Sequence, residues 1–182
     1  MSRPLSELFE KVISTDVTDF SATFPQQDGV RDFLIPWDGE PIECDWVISN
    51  PPFILGQQFI ERALQVAKVG VAMLLRMQFL EGGDRYDELF KDSPPSMIFV
   101  FCDRVAMHKG KIEKKQSTAT AYCWFVWSLE HDDDTMIEES LGPRIHWLPN
   151  GTKLRLERDT DYPEWAARKP ERPCPLFDDA PP

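Results

Sequence analysis

The residues best suited to chemistry are Asn50-Pro51-Pro52-Phe53, which follow the apolar run Asp45-Trp46-Val47-Ile48-Ser49. An amide, two consecutive prolines and an aromatic ring suit one kind of reactant, an amino group conjugated to a planar ring. Such an amine is a poor nucleophile because its nitrogen lone pair is delocalised. The Asn50 side-chain oxygen and the Pro51 carbonyl can accept its two hydrogens and aim the lone pair at an electrophile. Pro51 and Pro52 stiffen the backbone that carries those acceptors, so little reorganisation is needed in the transition state. Phe53 can stack on the flat acceptor. Asn-Pro-Pro also makes an ordinary turn, but here it lies between a buried-strand pattern and an amphipathic helix, which favours the chemical role.

The elements that position this tetrad alternate strand and helix, which predicts an α/β fold with a mostly parallel sheet. Strands are expected at Lys11–Asp16, at Asp32–Ile35 and at Asp45–Ser49, the last ended by the prolines. A helix over Leu55–Lys68 carries Leu55, Phe59, Ile60, Ala63, Leu64 and Ala67 on one stripe, with Gly70 as its end. Val71–Arg76 reads as the next buried strand. Gly82-Gly83 breaks the chain ahead of a short helix capped by Asp84. Met97–Cys102 and Thr118–Leu129 are further strands, and Ile145–Leu148 with Lys153–Leu156 form a hairpin about Pro149-Asn150-Gly151. Ligands in open α/β sheets bind at the carboxyl ends of the strands, where the tetrad falls. The domain is expected over residues 1–158. Residues 159–182, rich in proline, form an extended or disordered tail.

With 182 residues, 42% hydrophobic and 28% charged, the chain has the length and composition of one globular domain. Its longest apolar run, Val69 to Leu75, is far below the roughly 18 residues of a membrane span, so no membrane partner is expected. Met1 to Glu10 lacks the apolar core of a secretory signal, which implies a cytoplasmic location. Cys44, Cys102, Cys123 and Cys174 form no C-x-x-C pair and read as reduced thiols, and His108, His131 and His146 lack ligand spacing. No metal centre is expected. The net charge of −11 argues against a free-standing nucleic-acid binder. Yet Arg104, Lys109, Lys111, Lys114 and Lys115 face only Glu113 in their segment, a local +4 that leaves −15 on the rest. That segment is either a solvated loop or a phosphate-contacting one.

The Asn50–Phe53 tetrad resembles the (D/N/S)-P-P-(Y/F) motif of class I S-adenosylmethionine-dependent methyltransferases that modify amino nitrogens. Two longer stretches, Ala72 to Gly82 and Ser117 to Trp127, are similar to those of the adenine-specific DNA methyltransferase-like proteins of phages and prophages. The resemblance covers about Met1 to Pro149. It implies a Rossmann-like methyltransferase sheet with an antiparallel last strand, S-adenosylmethionine as cofactor and DNA as partner. It further implies that Asp16 binds the cofactor ribose, that Asp32 and Phe33 contact its adenine, and that Asn50, Pro51, Pro52 and Phe53 carry the catalysis. Members of that family open with a strand ending in a glycine-rich cofactor loop, and Met1-Ser2-Arg3-Pro4-Leu5 resembles the residues just after it. The first strand is therefore expected to be missing, with weak or absent cofactor binding and a gap in the sheet that a homo-oligomer is one way to cover. Three readings stay open: a truncated enzyme, a non-catalytic relic that binds without turnover, and a methyltransferase acting on protein glutamine or RNA.

Overall fold

The computed structural model describes residues 2–36, 43–103, 120–129 and 142–156. In chain order its strands are β1 (Thr15–Asp16), β2 (Gly29–Val30), β3 (Cys44–Ser49), β4 (Ala67–Arg76), β5 (Met97–Phe101), β6 (Tyr122–Ser128) and β7 (Arg144–Leu148). Helix α1 (Ser2–Leu5) precedes them and α2 (Gly56–Val66) joins β3 to β4. Helix α3 (Gly83–Arg85) runs into a π-helical turn at Tyr86–Phe90, and α4 (Thr152–Leu156) follows β7. The fold is α/β. Five strands form a mixed sheet in the order β3-β4-β6-β5-β7, and β1 and β2 pair in parallel as a second, two-stranded sheet. In the large sheet β6 runs antiparallel to β4 and β5, while β3 pairs parallel with β4 and β7 parallel with β5.

The sequence of β4 dictates its place. Val71 to Leu75 are five consecutive buried apolar residues, a pattern that only a strand covered on both faces can satisfy. Register sets Val71, Met73 and Leu75 opposite Trp127, Phe125 and Cys123, and Ile98 opposite Phe125. Side chains alternate along a strand, so these residues share one face. Ile60 and Ala63 of α2 close over it, together with Phe79 and Leu89. Phe79 meets Phe90 and Phe125 edge-on, with centroids 5.9 and 5.7 Å apart. The Trp127 indole N–H donates to the Ser93 carbonyl at 3.0 Å, so its polar end is satisfied. Burying Phe125, Ile60, Met73 or Leu75 in full contributes about 1.5–3 kcal/mol each. No helix among the described residues is long and apolar enough to cross a membrane.

Several elements depart from their sequence-based expectation. Only Thr15–Asp16 of the Lys11–Asp16 segment is a strand, because the Asp28 carboxylate takes the Ser14 N–H at 2.7 Å and interrupts the ladder. That strand pairs with β2 and not with the large sheet. Asp32–Ile35 is a turn, since Asp32 Oδ1 accepts the Leu34 N–H at 2.9 Å, and the strand lies just before it at Gly29–Val30. Helix α2 stops at Val66, and Ala67 is already extended and paired with Cys44. Gly70 therefore ends no helix. It sits inside β4 under Trp46. Asp84 lies in the first turn of α3, whose cap is Gly82 at φ 117°. Lys153–Leu156 makes no hairpin with β7, because Thr152 Oγ1 donates to the Pro149 carbonyl at 2.6 Å and turns the chain into α4. The paired part of Thr118–Leu129 is Tyr122–Ser128. The segment Arg104, Lys109, Lys111, Lys114 and Lys115, Cys174, and the 159–182 tail lie outside the described residues.

Two outcomes follow from this packing. A Cβ on Gly70 would lie 2.5 Å from the Trp46 ring and 2.9 Å from the Trp127 backbone carbonyl. Gly70→Ala is expected to cost about 1–3 kcal/mol in urea unfolding. A variant as stable as the parent would mean that the Trp46 ring does not lie over Gly70. The second concerns Cys123, fully buried in β6, whose thiol is pushed by burial from 9.0 up to about 11. The folded state holds this proton more tightly than the unfolded chain. Its contribution to stability is therefore complete below pH 9 and is lost as pH rises toward about 11. At pH 8 iodoacetamide should modify the exposed Cys102 first and leave Cys123 intact until the protein is unfolded, as read by peptide mass spectrometry.

Candidate functional site

The tetrad begins where β3 ends. Ser49 is the last paired residue, opposite Met73, and Asn50 emerges exposed at the carboxyl edge of the sheet. Pro51 is buried, and Pro52 (φ −54°, ψ 130°) leads into a 3-10 turn at Phe53–Leu55. The Leu55 N–H donates to the Pro52 carbonyl at 2.9 Å, which commits that carbonyl to the turn. Gly56 then opens α2 in tight contact: a Cβ there would lie 3.1 Å from Phe79 and 3.2 Å from Leu75. The tetrad is thus fixed on one side by the β3–β4 ladder and on the other by the start of α2. No hydrogen bond within the described structure engages the Asn50 side-chain amide or the Pro51 carbonyl. Asn50 is exposed and Pro51 is buried, and among the described residues neither acceptor is committed to another partner.

Phe53 is held by two residues from neighbouring strands. Its ring packs against Tyr122, with centroids 5.7 Å apart and planes tilted by 36°. The Arg76 guanidinium lies over the Phe53 ring, 4.4 Å from its centroid. Arg76 and Tyr122 are register partners at the end of β4 and the start of β6, so the sheet brings both to the tetrad. Neither residue belongs to the Asn-Pro-Pro-Phe pattern, so the sequence alone does not mark them as site members. The available signal was their position at strand ends beside the tetrad, which becomes meaningful only once β6 is known to insert next to β4.

The other expected site residues lie elsewhere. Asp16 and Asp32 sit at and just beyond the carboxyl ends of the paired strands β1 and β2, and both are exposed. Asp16 Oδ1 accepts the Thr18 N–H at 2.8 Å, and Asp32 Oδ1 accepts the Leu34 N–H. Each aspartate therefore makes a turn while its second carboxylate oxygen points away from that bond. Phe33 stacks on Phe59 of α2, with centroids 5.2 Å apart and planes 29° apart, and packs against the core. The structure brings Asp16 and Asp32 to one edge of the small sheet, and gives Phe33 to α2. An open cavity of about 300 Å³ lies on the sheet face opposite the core and is lined by the apolar residues Pro4, Leu5, Ile48, Ala72 and Trp124. Among the described residues no three His, Cys, Asp or Glu side chains gather as metal ligands.

Comparison with known proteins finds no matching family, no matching curated protein and no matching solved structure. The geometry of the tetrad and its neighbours therefore carries the functional argument.

The packing separates two roles for the residues outside the tetrad. Phe33→Ala is expected to destabilise the fold by about 3–5 kcal/mol at the upper end, through lost stacking on Phe59 and lost core contact. Asp16→Ala removes one exposed turn bond and is expected to cost about 1 kcal/mol or less. Urea unfolding of the two variants checks the order; an Asp16→Ala variant less stable than Phe33→Ala would reverse it.

Proposed function

We propose that the chain is an S-adenosylmethionine-dependent amino-methyltransferase that acts on the exocyclic amino group of adenine in DNA. One observation carries this reading. An exposed amide and a proline carbonyl, neither engaged by the described residues, stand at the carboxyl edge of a parallel β3–β4 pair, on backbone anchored by a buried proline and a closely packed helix start. The α/β layering and the antiparallel β6 support the same family resemblance, although the last strand is β7, which follows β6 and runs parallel to β5.

The chemistry of the site follows from its residues. Asn50 Oδ1 and the Pro51 carbonyl accept the two amino hydrogens of the base. This withdraws the nitrogen lone pair from conjugation and directs it out of the ring plane. Because Pro51 and Pro52 restrict the backbone, the acceptors are already in place before the base arrives, and binding need not order them. Phe53, gripped by Tyr122, presents an aromatic surface for the base. S-adenosylmethionine, when bound, supplies the electrophilic methyl group. Asp16 and Asp32 fit its hydroxyl and amino groups, being exposed carboxylates at and just beyond the ends of adjacent parallel strands with an oxygen apiece outside their turns.

The test uses S-adenosylmethionine at concentrations up to millimolar and adenine-containing DNA. The parent protein should place labelled methyl groups on the adenine amino nitrogen. Asn50→Ala should lower the rate by roughly a hundredfold or more, about 3 kcal/mol of lost transition-state stabilisation. Its half-saturating cofactor concentration should stay unchanged. Phe53→Tyr, which keeps the ring face, should remain active. An Asn50→Ala protein as active as its parent, or no transfer by the parent at any cofactor concentration, removes this reading.

A further inference from the structure

We propose that Arg76 is a binding residue that holds the phosphate of the bound nucleotide, and that its guanidinium occupies the stacking place on Phe53 until the base arrives. This rests on the adenine-binding reading of the tetrad and goes beyond it by naming how the site distinguishes a nucleotide from an uncharged amide or nucleoside.

Three features place the residue in that role. The guanidinium is flat, lies 4.4 Å from the Phe53 ring centroid, and so covers the kind of surface a base would use. Arg76 is exposed, and no carboxylate among the described residues lies within ion-pair distance of it, although the chain carries a net charge of −11. A cation that no described carboxylate pairs with, beside a pair of amino-hydrogen acceptors, has charge to offer an anionic ligand. Finally, β4 and β6 tether it: the Met77 N–H donates to the Ala121 carbonyl at 2.9 Å, so the backbone next to Arg76 is fixed while its long side chain can turn. A base that stacks on Phe53 displaces the guanidinium from the ring. It also brings its own phosphate one sugar away, within the sweep of that side chain. The exchange trades one cation–π contact for a charge-assisted, bidentate hydrogen bond, which is the stronger interaction. A glutamine side chain offers no phosphate to complete the exchange, so Arg76 favours nucleic acid over a protein acceptor.

The experiment is a thermodynamic cycle on the full chain with fluorescein-labelled single-stranded DNA containing one adenine. In one oligonucleotide the linkage next to the adenine is a phosphate, and in the other a neutral methylphosphonate. Fluorescence anisotropy at low salt should show the parent binding the phosphate form at least about tenfold more tightly. Arg76→Gln should lose that advantage and bind both forms alike, and Arg76→Lys should keep most of it. Circular dichroism confirms that the variants remain folded, as expected for an exposed side chain. No binding by the parent, or Arg76→Gln discriminating the two linkages as the parent does, overturns the proposal. Purine in place of adenine separates it from the reading beneath it. Equal binding of the purine and adenine oligonucleotides by the parent, with the Arg76 cycle intact, would remove the amino-group assignment and leave the phosphate contact standing.

Discussion

Everything at the tetrad depends on the burial of β4. Five consecutive apolar residues, Val71 to Leu75, are covered on both faces and paired on both edges. A strand in that position cannot slip by one residue without moving its core face to the other side of the sheet. Its register therefore determines where each neighbour begins and ends. Ser49 meets Met73, so Asn50 leaves the ladder at the carboxyl edge. Tyr122 meets Arg76, so both reach the same edge from the next strand over. The site is a consequence of a packing constraint several residues away.

The same constraint explains the division between rigid and adjustable parts. Pro51 is buried, Pro52 is locked into a turn, and Gly56 lies so close to Phe79 and Leu75 that an added Cβ would make both side chains give way. These residues fix the two hydrogen-bond acceptors. Arg76 differs because only its backbone is held, and its charged end rests on an aromatic face in contact with solvent. Preorganised acceptors and a movable cation are complementary. On the proposed reading, the first need no ordering when a base binds, and the second follows the ligand.

Aromatic contacts also set what Phe53 and Phe33 can do. Phe53 lies between strand ends and keeps a surface that a ligand can contest with Arg76. Phe33 has already paired with Phe59 and joined the core. Phe53, read from the tetrad, and Phe33, implied by the family resemblance, thus have different neighbours. The aspartates show the same effect in milder form, since local turn bonds use one oxygen of Asp16 and one of Asp32 while leaving both residues exposed at one edge of the small sheet.

The sequence by itself determined the elements whose causes are local. The apolar runs at β3, β4 and β6 and the stripe of α2 exclude other placements for those residues, and Asn50-Pro51-Pro52 must end a strand because proline cannot continue the ladder. That much located the tetrad and the chemistry its residue types permit. Tertiary structure decided which strands became neighbours. Nothing in the periodicity of Tyr122–Ser128 says that it inserts between β4 and β5, or that Lys153–Leu156 coils while β7 takes β5 as its partner. Nor could Gly70 be recognised as a seat for Trp46, 24 residues earlier, from a position that looks like a helix end. Pairing between strands is a long-range contact whose free energy comes from surfaces meeting in space. For that reason the placement of Arg76 over Phe53 is visible only in the folded chain.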